Sequence, residues 1–468
     1  LFKKIVLDNY KSFRHIELNL NKTDKDPLPY AFIYGENGSG KSNLVESMMF
    51  LKDTINTLIS FNNFRTAIEN ESRNTKDQRR ASELKMQTVP PRDITELSEI
   101  YAPTLPRLVE NVKMIDSIDN VCMSYHFALE GRNGHYQMEF GQDGRISYEK
   151  LSFVVESRTQ DIFELYTEER DKQKTTSASV TQKLSPSFFK NKTYEKTIQD
   201  HIQKYWGNHT FMSIMNDQFK INNKQYMEDS MGTKIKEVLD FFNGIIVSCT
   251  FIGQSWGTGV RGKIMTNLAK GTITMKEEPT LRVYEKALNS FFTRLYSDIK
   301  KAYYRTESNN GSLSYTLFFS KMIGGKRREI EISKESSGTF KLLNLFPAFF
   351  ECSRGKTVFF DELDSGIHDI LMKDVMAEMI GSFKGQFIAT THNTSLLEIM
   401  DPKCIFVIQS DPKGEKRIIS ISQVERTQRN HNNRNRYMNG TFEGIPIVGE
   451  IDFKGIVNTA EKGFEGVK

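Results

Sequence analysis

The chain has 468 residues, 38% of them hydrophobic and 26% charged, enough apolar matter to bury a core and exclude global disorder. With 64 Lys and Arg against 59 Asp and Glu, the net charge is +5, so nucleic-acid contact has to be argued from local patches. No run approaches the roughly 18 apolar residues of a membrane span, and Cys122, Cys249, Cys352 and Cys404 form no CxxC pair, which argues against a disulfide scaffold or zinc module and for a reducing, cytoplasmic setting.

The opening LFKKIVLDNYKSF carries no signal-peptide apolar core. Ile5 and Leu7, then Ile16, Leu18 and Leu20, alternate as antiparallel strands. Ala31 to Tyr34 is a short apolar run that predicts a buried strand, and Gly35-Glu-Asn37-Gly38-Ser39-Gly40-Lys41-Ser42 fits GxxxxGK[ST] at every fixed position. Asn43 and Leu44 onward have helical spacing, with Leu44, Met48 and Leu51 on one side. Strand, glycine-rich loop and helix is the context this motif requires. Glycines let backbone N–H groups close around phosphate oxygens, and the helix N-terminus adds partial positive charge. Lys41 then reaches the β- and γ-phosphates of a nucleotide, and the Ser42 hydroxyl is placed for Mg²⁺.

Asn62 to Lys85 is polar and reads as a solvated helix or loop, ended by Pro90-Pro91. Val121 to Phe140 and Arg145 to Phe153 alternate with glycines at turns, predicting a β-meander. Residues 157 to 300 read as mainly helical, with an interruption near 245–275; Arg282 to Tyr304 has the clearest helical spacing, and no heptad is sustained. Gly257-Thr-Gly259-Val-Arg-Gly262 fits GxGxxG, but no βαβ unit with a ribose-binding acid follows, so a loop is favoured. Ser312 to Phe319 and Arg328 to Ile332 read as strands, with Lys326-Arg327-Arg328 on an exposed hairpin face.

Glu335-Ser336-Ser337-Gly338-Thr339 is a turn opening a helix, an anion-binding N-terminus or a simple cap. Lys356 to Phe360 is an apolar strand ending in Asp361 and Glu362, the Walker B form; Asp361 would bind Mg²⁺ beside Ser42, and Glu362 would orient or deprotonate a water. Asp364 lies in the following turn. Gln386 to Thr391 is a further strand, ending at His392, which could hydrogen-bond the γ-phosphate. Between Asp361 and His392 there is room for one crossover helix, Ile367 to Gly381, and a parallel strand. Arg426 to Arg436 is basic and polar, suited to a phosphate backbone or an acidic partner, or else a solvated loop.

Phosphate loop, SxG turn, Walker B with its trailing turn and a switch histidine, in that order, resemble ABC-type ATPases. The start, Asn9-Tyr-Lys-Ser-Phe13-Arg14, resembles their SMC, RecF and OLD branch. The ESSGT turn and Arg436-Tyr-Met-Asn-Gly440-Thr-Phe-Glu-Gly-Ile-Pro446 resemble OLD-related AAA-type ATPases of bacterial anti-phage defence, of the PARIS or Septu kind. The resemblance covers about residues 1–50, 115–155 and 310–450. It implies an α/β fold: an ABC-type P-loop ATPase head, with a mixed sheet, flanking helices and an antiparallel β-subdomain, plus a helical insertion. The expected division is 1–155, the first half of the head; 156–305, a mainly helical insertion; and 306–468, the second half.

It further implies ATP and Mg²⁺ as ligands, with Ser336 and Gly338 of one copy, and Asp364, serving nucleotide on Lys41 of the other, in a homodimer or higher oligomer. Asn9, Phe13 and Arg14 are carried over as adenine and phosphate contacts. The Q-loop glutamine stays open between Gln142 and Gln254. The residues after His392 contain no DxD, so a nuclease or toxin effector is expected in a partner. The alternative is a RecF- or SMC-like DNA-binding ATPase in repair or chromosome maintenance; a stand-alone nuclease and a transporter subunit are disfavoured.

Overall fold

The computed structural model describes residues 1–23, 26–67, 104–155, 158–167, 180–232, 234–251, 254–260, 262–309, 311–424, 432–445 and 451–465. Strands β1 (Phe2–Tyr10) and β2 (Phe13–Asn19) form a hairpin, β3 (Tyr30–Tyr34) runs into the middle of the molecule, and helix α1 (Lys41–Thr54) follows. After a short helix α2 (Leu105–Glu110), β4 (Val121–Leu129), β5 (Arg132–Phe140), β6 (Ile146–Val155), β7 (Arg158–Thr167) and β8 (Val180–Leu184) complete an antiparallel sheet of order β2-β1-β4-β5-β6-β7-β8. Helices α3 (Lys192–Tyr205), α4 (Phe211–Ile221), α5 (Lys224–Ser230) and α6 (Ile235–Asn243) come next. Their inward residues, among them Ile198, Phe211, Leu239 and Phe242, share one core with Phe2, Tyr125, Phe127 and Tyr136 of that sheet.

The second sheet holds the site. It is built from β9 (Ile246–Phe251), β10 (Gln254–Thr258), β15 (Thr357–Phe360), β16 (Gln386–Thr390), β17 (Ile405–Ser410) and β18 (Lys416–Ser420) around β3, in the order β10-β9-β15-β16-β3-β17-β18. The five middle strands are parallel, and β10 and β18 close the two edges antiparallel. Parallel strands covered on both faces read as unbroken apolar runs, and their period of two splits them between two cores. Ala31, Ile33, Phe359, Ile388 and Phe406 join the core of the first sheet. Phe32, Val358, Phe360, Phe387 and Val407 join a second core on the other face. That core contains a third sheet, β11 (Lys270–Thr274), β12 (Ile299–Asn309), β13 (Ser312–Ile323) and β14 (Lys326–Glu331), and helices α7 (Glu278–Leu295), α8 (Ser337–Ser353) and α9 (Asp369–Ile380).

The expected α/β class, with a mixed sheet, flanking helices and an antiparallel subdomain, is what the chain adopts. Two local expectations are corrected. The stretch 156–305 carries α3 to α7 but is woven into the sheets: β7 and β8 finish the first sheet, and β9 takes a central place beside β15. The apolar run from Ile245 to Val247, inside the expected interruption of the helices, is buried throughout, as a central strand requires. The helix expected to reach Tyr304 stops at Leu295. Tyr296 is extended at φ −123° and ψ 116°, and Ile299, Ala302 and Tyr304 are core residues of a strand. Of the polar stretch 62–85, residues 62–67 are helical and the rest lies outside the described residues, as does 425–431 of the basic tail segment.

Candidate functional site

In open parallel sheets, ligands gather where the strands end, because loop backbone and helix N-termini converge there. Here β3, β15 and β16 end side by side in the phosphate loop, the Asp361-Glu362 pair and the Thr391-His392 turn. The loop needs glycine where it has it. Gly38 and Gly40 sit at φ +82° and +100°, and a Cβ on Gly40 would come within 2.6 Å of the Phe13 ring. Gly40 is the N-cap of α1 and offers no side-chain cap. The first-turn N–H groups of Lys41, Ser42 and Asn43 find no backbone acceptor among the described residues, which leaves them for an anion. Lys41 is buried and folds back, its Nζ donating to the carbonyls of Gly35 at 2.8 Å and Glu36 at 2.9 Å. Burial lowers its pKa, against the attraction of Asp361, Glu362, Glu36 and Asp364. The Ser39 hydroxyl is buried with no partner among the described residues.

Asp361 is 1% exposed. Its Oδ1 accepts from Thr390 Oγ1 at 2.6 Å, while Oδ2 is buried with no hydrogen-bond partner among the described residues. An unpaired carboxylate oxygen costs free energy in such a place unless a cation meets it. Together with the Ser42 hydroxyl it is the all-oxygen donor set that Mg²⁺ takes alongside water and phosphate, so these residues fit the ion. Thr390 Oγ1 also accepts the Glu362 N–H at 2.8 Å, so one hydroxyl on β16 fixes both acids at the end of β15. Glu362 is held at φ +50°, a left-handed backbone that a non-glycine residue adopts at a cost of order 1–3 kcal/mol. Its carboxylate is half-buried and makes no ion pair or side-chain hydrogen bond among the described residues. Asp364 Oδ1 accepts from the Thr391 hydroxyl and from the His392 N–H at 3.2 Å, tying the turn after β15 to the one after β16. The His392 ring is exposed; its pKa is lowered by burial of part of the ring and by Lys41, against Asp364, Glu362 and Asp361.

Ser336 caps α8: its Oγ accepts from the Thr339 N–H at 3.2 Å and shares a 2.9 Å bond with the Thr339 hydroxyl. Gly338 lies under the turn after Walker B, where an added Cβ would come within 2.9 Å of the Gly366 carbonyl. The serine turn and the Asp364–Gly366 turn thus form one surface. The three N-terminal candidates diverge. Phe13 is buried and packs on Gly40. Arg14 points outward to Glu415 at 3.2 Å. Asn9 donates to the Asn120 carbonyl at 2.9 Å, a turn contact rather than a loop contact. Gln142 donates to the Asp119 carbonyl in a hairpin turn.

Three site residues escaped the sequence reading. Thr390 could have been marked as the polar end of an apolar strand. Lys341 rises from the first turns of α8, with Glu362, Asp361 and Asp364 opposing the burial that lowers its pKa; helical spacing from Ser337 could have pointed to it. Lys416 reaches the phosphate loop from β18 and had no local signal.

Residues 267–398 match the family model described as "AAA domain, putative AbiEii toxin, Type IV TA system". That segment holds the serine turn, Walker B and His392, and stops short of the phosphate loop. No curated protein matches the chain. Solved structures similar to it include the SMC head domain from Thermotoga maritima, at 15% identity over 90% of this chain and 98% of that one, with a TM-score of 0.37. An SmcHead bound to the C-winged helix domain of ScpA is similar at 14% identity, 89% and 96% coverage and a TM-score of 0.40. An Smc head domain with an extended coiled coil, bound to the C-terminal domain of ScpA derived from Pyrococcus furiosus, gives 12%, 90%, 97% and 0.35. Among the described residues, no helix is long and apolar enough to cross a membrane.

Proposed function

We propose that this chain binds and hydrolyses ATP with Mg²⁺, that two copies share each nucleotide, and that the closed assembly controls a partner effector, a nuclease or toxin, in anti-phage defence. The observation that carries the catalytic part is the meeting of Lys41 with Asp361, Glu362 and Asp364 at the ends of parallel strands, with one Asp361 oxygen buried and unpaired. In this reading Gly35 to Asn43 wrap the phosphates, with Asn37, Gly38, Ser39 and Gly40 supplying backbone and Lys41 the charge. Ser42 and Asp361 hold Mg²⁺, which would screen the phosphate charge. Glu362, with no side-chain partner among the described residues, takes the proton of the attacking water, and His392 steadies the transferred phosphate.

Sharing between copies is supported by the exposed Ser336 lying on one surface with Gly366. Its hydroxyl and the α8 N-terminus would meet nucleotide held on the Lys41 of a second copy. The family description matched by residues 267–398, with its toxin and Type IV TA wording, favours an effector-linked role.

The test is nucleotide binding, turnover and assembly by the purified chain. Lys41→Ala should weaken ATP binding by about 100-fold or more, on the scale of losing a desolvated charge–phosphate contact. Ser336→Arg should leave the monomer folded and block ATP-dependent pairing in light scattering. Unchanged affinity in the first variant defeats the loop assignment; normal pairing in the second defeats the shared site. DNA-stimulated turnover by the chain alone would move the reading to the DNA-binding alternative.

A further inference from the structure

The β17–β18 hairpin folds over β2 and brings a lysine to the phosphate loop from outside every motif. Lys416 opens β18, and its Nζ donates to the Gly38 carbonyl and to Ser12 Oγ, both at 2.8 Å. It stands 5.7 Å from the centroid of the Phe13 ring. Asn43, in the first turn of α1, donates to the same Ser12 hydroxyl at 2.8 Å. The carboxylate next to Lys416 in sequence, Glu415, is engaged by Arg14 at 3.2 Å. Among the described residues Lys416 makes no ion pair: a carbonyl, a hydroxyl and a ring face hold it, and all three are neutral. Burial disfavours its charge, with the attraction of Glu36 opposing.

An ammonium so placed has given up part of its hydration and received only neutral acceptors in return. An anion on the loop would gain most from it, because it would bring an opposite charge to an ammonium whose present acceptors are all neutral. We infer that Lys416 is a second cationic contact for the nucleoside polyphosphate, reaching it from the outer lip of the loop at Gly38. The inference rests on the nucleotide site proposed above and adds a residue to it. Since the contact is charge to charge, Lys416 should matter for ATP and ADP and not for adenosine.

Dissociation constants for ATP and ADP are measured by calorimetry for wild type, Lys416→Gln, Lys416→Arg and Lys41→Ala at two salt concentrations. Lys416→Gln should bind both nucleotides about 10-fold more weakly, with a shallower salt dependence, and Lys416→Arg should recover most of the loss. A purely structural clip would be broken by both substitutions and would leave the salt slope alone. If Lys416→Gln binds ATP within twofold of wild type while Lys41→Ala fails to bind, the inference is overturned and the site survives. If Lys41→Ala binds as wild type does, the site itself has failed. A second measurement needs no variant. Amine acetylation of the wild-type protein, read by mass spectrometry, should show Lys416 protected by ATP, and equal labelling with and without ATP overturns the assignment.

Discussion

Glu149 and Asp361, the two most deeply buried acids among the described residues, are solvated by protein in opposite ways. Glu149, on β6, is buried, and four donors saturate it. Tyr136 Oη at 2.9 Å and the Met212 N–H at 3.1 Å reach Oε1; Trp206 Nε1 at 2.9 Å and the Phe211 N–H at 2.6 Å reach Oε2. Two of these donors are first-turn amides of α4, so the acid also meets the positive end of that helix. Asp361 is as deeply buried, yet one oxygen accepts a single hydroxyl and the other accepts nothing. A saturated carboxylate is a structural bolt between sheet and helix. An unsaturated one in the same dielectric leaves coordination open for something that arrives later.

The largest effects should fall on the unsaturated side, and on chemistry rather than folding. Glu362→Gln keeps shape and removes the proposed base. Turnover should drop by roughly 10²- to 10⁴-fold, the usual contribution of a general base, while ATP affinity stays within a few-fold. Single-turnover kinetics with radiolabelled ATP would measure both, and ordinary turnover in that variant would mean that another group takes the proton. On the saturated side, Glu149→Ala should cost about 3–5 kcal/mol of stability in urea denaturation, because Tyr136, Trp206 and two amides lose their acceptor together. Glu149→Gln should cost less but not nothing, since one carboxylate oxygen becomes an NH₂ facing donors. A loss under ~1 kcal/mol for the alanine variant would refute the bolt.

Asp361→Asn sharpens the contrast. The change removes a buried charge whose second oxygen has no internal partner, so stability should fall by less than about 1 kcal/mol, or rise. The Mg²⁺ concentration needed for half-maximal nucleotide binding should instead rise by about 10-fold or more. A large stability loss with unchanged Mg²⁺ dependence would make Asp361 another Glu149.

The two acids differ as much in how sequence announces them. Asp361 ends an apolar run and is followed by Glu362, so its place at a strand end could be read directly, as could Lys41 within Gly35–Ser42; both signals are local in the chain. Glu149 shares a register with Leu151 and Phe153 on β6, and alternation alone puts an acid among core residues. What satisfies it comes from Trp206 and Phe211, across a fold that no local pattern describes. The same holds for Lys416, whose strand reads as any edge strand until β17–β18 closes over β2. Asn9 shows the reverse case: its neighbourhood fits a known pattern, while the contact its side chain makes, to the Asn120 carbonyl, is one that no local pattern announces. The helix expected to continue to Tyr304 failed because Ile299 continues the helical spacing of Phe292 and Leu295, while Ala302 and Tyr304 alternate beyond a register shift between Ile299 and Lys301, and packing in the third sheet decided between them.

The smallest effect probes the saturated region by pH. His209 lies just before α4, 4% exposed, with its Nδ1 unpaired and its ring edge against Phe61 and Tyr205. Burial lowers its pKa from 6.5 to about 4. The unfolded chain therefore takes a proton below pH 6.5 that the folded chain refuses until about pH 4. Stability from this group is complete above pH 6.5 and is lost as pH falls through that window. At pH 5 the loss should be about 2 kcal/mol, 1.36 kcal/mol per unit below 6.5. Glu149 has its pKa raised by burial, against the four donors, and works in the opposite direction; it is present in both proteins when wild type is compared with His209→Phe, so the difference isolates the histidine. Between pH 7.5 and pH 5 wild type should lose stability relative to His209→Phe, read from urea midpoints, by an amount equivalent to that ~2 kcal/mol. A constant gap would mean that His209 accepts its proton inside the folded protein, and that the pocket beside Glu149 is wetter than its saturated hydrogen bonding implies.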